Sequence, residues 1–92
     1  MSKNNSKVGI SKSQIDFLIT LYASGKIMEA LEEIKSLNDK YPNVPFLFNL
    51  SGACYRALDR FDHAEQMFDT AIRIKPDYAE AHFNSGLVKK RL

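Results

Sequence analysis

The chain has 92 residues, 45% apolar and 26% charged, with a net charge of +2. A folded chain of this size hides roughly 60–65% of its unfolded surface, which leaves little material for a deep catalytic pocket. The charge lacks the concentrated basic stripe of a nucleic-acid reader, and no apolar run exceeds three residues, as in Phe17 to Ile19, against the roughly 20 that a membrane helix needs.

The first ten residues are polar up to Gly9 and carry only Lys3 and Lys7. With no long apolar stretch behind it, this segment (1–10) is not a secretory signal and reads as a disordered leader. Ser11 with Gln14 then matches a capping box and predicts a first helix running to Ala23 or Ser24. Gly25 ends it by tolerating positive φ. The return helix carries Ile27, Ala30, Leu31, Ile34, Leu37 and Tyr41, an apolar stripe of helical period. Glu29, Glu32, Glu33, Lys35 and Asp39 occupy its other side. Pro42 and Pro45 bracket a short connection, and Pro45 suits the first turn of a helix.

The third helix spans Phe46 to Leu58 and the fourth Phe61 to Ile74, with Asp59-Arg60 as the turn. Phe61, Ala64, Phe68, Ala71 and Ile72 form the inward stripe of the fourth. Asp59 and Asp62 are expected to cap it. Pro76-Asp77 stops that helix and a fifth begins at Ala79, with Lys89-Lys90-Arg91 as favourable charge at its C-terminal end. Short connections force antiparallel neighbours. No segment alternates apolar and polar over strand length, so no sheet is expected.

Chemistry-bearing residues are sparse. His63 and His82 have no metal-ligand spacing to acids or to Cys54. We expect His63 to be solvated and His82 to stand in for an aromatic on an outer face. The single cysteine cannot form an intrachain disulfide and sits where a small buried thiol suits helix packing. A reducing, cytoplasmic setting is the default. The four glycines are scattered singly, so no phosphate loop exists. No catalytic residue, cofactor or metal is expected, and the chain does not read as an enzyme.

Shifting the chain by 34 positions aligns Ala30 with Ala64, Ile34 with Phe68, Pro42 with Pro76, Gly52 with Gly86 and Leu58 with Leu92. The phase holds without insertion. It divides the chain into residues 11–44, residues 45–78 and a partial third unit, 79–92. The set Gly52, Tyr55, Ala64, Phe68, Ala71 and Pro76, with the junction Pro76 to His82, resembles the tetratricopeptide repeat (TPR) family. The likeness extends from Ser11 to Leu92. The first unit departs from it: Leu18 stands where Gly52 and Gly86 stand later, and Leu21 where Tyr55 does. A bulkier Leu18 should push the first helix pair apart, since helices crossing at about 8–10 Å need small residues at the contact.

The resemblance implies an all-α, right-handed α–α superhelix, a solenoid of about two and a half repeats and five helices. It also implies a concave groove lined by the first helix of each repeat, used to bind peptides, helices or partner domains. Mapped onto this chain, the groove would be lined by Lys12, Ile15, Ile19 and Tyr22, then Phe46, Asn49, Ala53 and Arg56, then Glu80, Phe83, Leu87 and Lys90. Ile15, Ile19, Phe46, Phe83 and Leu87 make this wall apolar. Burying all five would contribute on the order of 7–12 kcal/mol of transfer energy, which association entropy partly offsets. Some family members clamp the acidic tail of a heat-shock chaperone. The equivalent positions here are Ile15, Ile19, Leu50, Glu80 and Asn84, and only Asn84 fits such a clamp, so no chaperone-tail receptor is expected.

The expected function is a protein–protein interaction scaffold that takes a protein or peptide partner. Its unpaired end helices favour homo-oligomers, and neither nucleic acid nor membrane is an expected partner. The alternative is a regulatory or substrate-presenting arm of a larger, transferase-like enzyme. Gly86 and Leu92 keep the pattern of a continuing array and favour the arm. His82 and Lys89, in place of Phe48 and Tyr55, suit a wet capping face instead.

Overall fold

The computed structural model describes residues 9–92. The expected leader lies outside the described residues up to residue 8. At its far end Ile10 is half-buried and packs against the core. The described residues form five α-helices and no strand: α1 (Lys12–Ala23), α2 (Ile27–Lys40), α3 (Pro45–Ala57), α4 (Phe61–Ile74) and α5 (Ala79–Arg91). They occupy a slab of 48 × 29 × 19 Å.

Local chemistry fixes the helix ends. The Ser11 hydroxyl accepts from the Gln14 amide at 3.1 Å, and the Gln14 side chain accepts from the Ser11 amide at 2.8 Å. This is the reciprocal satisfaction expected of a capping box. At the other end of α1, Gly25 adopts φ +78°. Its amide donates to Tyr22 O at 3.0 Å and the Lys26 amide to Leu21 O at 2.9 Å, the paired bonds of a Schellman stop. The α3 end repeats this arrangement, with Asp59 donating to Arg56 O at 3.0 Å and Arg60 to Tyr55 O at 2.8 Å. There Asp59 itself takes the left-handed conformation, φ +59°.

Asp59 therefore closes α3 rather than capping α4. The N-cap of α4 is Arg60, which makes no side-chain cap bond. Asp62 stands in the first turn of α4, where its charge meets the positive end of the helix dipole.

The backbone repeats with the period read from the sequence. Helices α2 and α4 are each 14 residues long, and α3 and α5 are each 13. In both pairs the boundaries lie 34 positions apart. Burial follows the same step: Ala30 and Ala64, Ile34 and Phe68, Leu37 and Ala71, Cys54 and Val88 are all buried. Leu18 is buried where Gly52 stands in the next unit.

Two apolar clusters result. The larger joins Leu18 and Leu21 of α1, Ala30, Ile34 and Leu37 of α2, and Leu47, Leu50 and Cys54 of α3. The smaller joins Ala64 and Phe68 of α4 to Val88 of α5, with Tyr55 and Phe61 packed against it. Helix α3 serves both. On one side it meets α4 closely enough that a Cβ on Gly52 would lie 2.5 Å from Phe68 Cε1. Only glycine fits that contact. The α3–α4 interface is far more extensive than the one between α1 and α2, where Leu18 replaces the glycine.

Candidate functional site

The residues expected to form one wall come from α1, α3 and α5. On α1, Lys12 pairs with Asp16 at 2.8 Å in full solvent exposure. Ile15 is half-buried, while Ile19 keeps 47% of its surface exposed. Tyr22 is drawn inward and packs on the larger core cluster, as does Phe46 of α3. Asn49 is buried at 5% exposure and accepts a hydrogen bond from Asn84 Nδ2 at 3.2 Å. It ties α3 to α5 instead of lining an open wall.

Helix α5 also exposes apolar side chains. Phe83 is 67% exposed and Leu87 39%. Lys90 is exposed beside them, and Arg56 of α3 is half-buried. Arg56 and Leu87 meet in a cleft of about 420 Å³, completed by Asp59, Phe61 and Arg91. The Arg91 guanidinium lies over the Phe61 ring, 4.8 Å from its centroid. Tyr78, the N-cap of α5, has its pKa raised by burial and by the Glu80 charge, against the effect of a hydrogen bond with Asn49. The structure thus brings Arg56 and Leu87 together, with Phe83 and Lys90 on the same helix as Leu87. Tyr22, Phe46 and Asn49 are assigned to packing.

The far side of α5 is polar. Ser85 donates to Asp69 at 3.2 Å, and Lys89 reaches Asp69 at 3.2 Å and Glu65 at 3.1 Å. Partial desolvation opposes the charge on Lys89. The hydrogen bonds and charges of Glu65 and Asp69 outweigh it and raise its pKa. Lys89, expected on an open outer face, therefore fastens α5 to α4 together with Ser85. His82 is exposed, and its Nε2–H donates to Pro76 O at 2.7 Å, since a carbonyl can only accept. His63 is exposed and lies beside Tyr55, ring centroids 5.1 Å apart.

A second feature was not foreseen in the sequence. Helices α2 and α4 leave a cavity of about 390 Å³ between them, floored by α3. Met28, Leu31, Ile34, Tyr55, Leu58 and Met67 give it an apolar lining. A signal for it exists in the repeat: Met28 and Leu31 stand where the next unit has Asp62 and Glu65.

Among the described residues there is no group of three or more His, Cys, Asp or Glu side chains placed to hold a metal, and no helix long and apolar enough to cross a membrane. Cys54 is fully buried in the larger cluster, and burial pushes its pKa to about 11. No protein-family model matches the chain, and no curated protein matches it closely enough for comparison.

Proposed function

We propose that this chain is a helical-repeat module of the tetratricopeptide type that binds a protein or peptide partner. Its binding face would be the one formed by α1, α3 and α5. The carrying observation is that Ile19, Phe83 and Leu87, on helices of this face, hold large apolar side chains in solvent. Apolar clusters left exposed on a small domain mark interaction sites. Supporting the family reading are the 34-residue repeat of helix boundaries and the Gly52–Phe68 contact. In this reading the helices wind as a right-handed superhelix with that face on the inside, and the chemistry is recognition rather than catalysis.

The test is affinity capture from the source cell with wild type and an Ile19→Asp, Phe83→Asp double variant. Both side chains are exposed, so the variant should fold and melt like wild type. A partner held by wild type and lost by the variant supports the reading. Equal capture by both proteins overturns it. Sedimentation over a range of concentrations tests self-association through the same face.

A second reading makes the module one stretch of a longer array that serves a transferase-like enzyme. Gly86 favours it. The glycine occupies the register of Gly52, yet a Cβ there would meet nothing within 4 Å.

A further inference from the structure

We propose that the cavity between α2 and α4 binds an uncharged, largely apolar small molecule. The site shares no residue with the proposed partner-binding face.

Its volume, about 390 Å³, falls within the roughly 300–1,000 Å³ of small-molecule pockets. The lining is apolar, and Met28 and Met67 stand on opposite helices as flexible thioethers able to adapt to a ligand's shape. The rim carries Glu32 and Asp39 against Lys35 and Arg60. Two acids and two bases cancel, so the entrance favours neither anion nor cation.

At the α2–α3 junction, which forms part of the cavity wall, the chain departs from its own repeat. At the equivalent junction, Lys89 of α5 bonds to Glu65 and Asp69 of α4, and Ser85 bonds to Asp69. Moved back by one repeat, those positions are Tyr55, Leu31, Lys35 and Ser51, all of which line the cavity. Leu31 and Tyr55 thus stand at the α2–α3 junction where the α4–α5 junction has an ion pair, and the wall they form is apolar.

N-phenyl-1-naphthylamine is a suitable probe. It is uncharged and aromatic, and brightens in apolar surroundings. We expect saturable binding to the full chain at one molecule per protein. The methyl resonances of Met28 and Met67 should shift along the same titration. Met28→Asp and Leu31→Glu restore the acids of the next repeat and should each weaken binding by about tenfold or more. Met28 is exposed, so its variant remains informative even if Leu31→Glu fails to fold.

Three outcomes overturn the proposal. One is no saturable binding up to the solubility limit of the probe. Another is binding that survives Met28→Asp but is lost in the Ile19→Asp, Phe83→Asp variant, which would place the probe on the partner face. The third is failure of the probe together with loss of a captured protein in Met28→Asp, which would assign the cavity to a partner's side chain.

Discussion

Gly52→Ala adds one methyl group where the structure has no room for it. The new Cβ would sit 2.5, 2.6 and 2.7 Å from Cε1, Cδ1 and Cζ of Phe68. Carbon atoms in good contact stand about 3.5–4.0 Å apart, so the shortfall is about 1 Å against three ring atoms at once. Phe68 is completely buried and has no solvent-side position to swing into. Helices α3 and α4 must separate instead. Overpacking of this kind costs about 1–3 kcal/mol, and the better helix propensity of alanine returns up to about 1 kcal/mol. We expect a net loss of about 1–2 kcal/mol, which lowers Tm by roughly 5–15 °C in a domain of this size. Gly86→Ala is the matched control. It makes the same chemical change at the equivalent position of α5, where a Cβ meets nothing within 4 Å, and should gain up to about 1 kcal/mol. Urea unfolding followed by far-UV circular dichroism reads both, as a midpoint shift at constant m. In a Phe68→Leu background the Gly52→Ala penalty should shrink, because the two sites are in contact. Equal or greater stability of Gly52→Ala than of Gly86→Ala would refute the proposed close approach.

Three further predictions concern local features. Ser11→Ala removes half of the capping box and should cost about 1 kcal/mol, with faster amide exchange in the first turn of α1; unchanged exchange there argues against the cap. Asp59→Gly relieves a left-handed residue and should stabilise by up to about 1 kcal/mol, whereas Gly25→Ala, at φ +78°, should destabilise by about as much; thermal melts decide, and effects of the same sign contradict the account. Cys54 has a folded pKa of about 11 against 9.0 for the free group. Between those values the native state binds the extra proton, so unfolding becomes easier as pH rises through that window, by about 2–3 kcal/mol at most. Cys54→Ala should flatten this part of the pH–stability profile, and an unaltered slope would show that other groups cause it.

Helix number and the α4 boundaries were legible because the signals are local: a capping box at Ser11, a glycine at position 25, and prolines at 42, 45 and 76. The 34-residue period was legible because Ala30 and Ala64, Pro42 and Pro76, and Gly52 and Gly86 are identical at that spacing. The role of Asp59 was not. An aspartate next to a helix start suggests a cap, yet the 34-residue step back to Gly25 carries the better information, that the position needs positive φ. Wall residues were only partly legible for a similar reason. Facing direction follows from helix period, but burial depends on neighbours. Asn49 looked like a polar surface residue until Asn84, 35 positions away, supplied its hydrogen-bond partner. The α2–α4 cavity depends on contacts that were not made, and such gaps show in a sequence only as a break in the repeat, here Met28 and Leu31 against Asp62 and Glu65.

The distribution of burial separates folding from recognition. Asn49 to Cys54, six consecutive residues of α3, are all buried, so this central helix has little surface free to vary. It floors the α2–α4 cavity with Ser51 and Tyr55, and it anchors α5 through Asn49. The exposed apolar residues lie instead on the surrounding helices, with Phe17 and Ile19 on α1, Met28 on α2, and Phe83 and Leu87 on α5. Substitutions at such exposed sites usually change stability by no more than about 0.5 kcal/mol. A binding surface assembled there can change its partner while Gly52, Phe68 and the larger cluster hold the fold. Surface variants that alter capture or probe binding therefore leave the unfolding midpoint in place, whereas α3 variants should disturb both together.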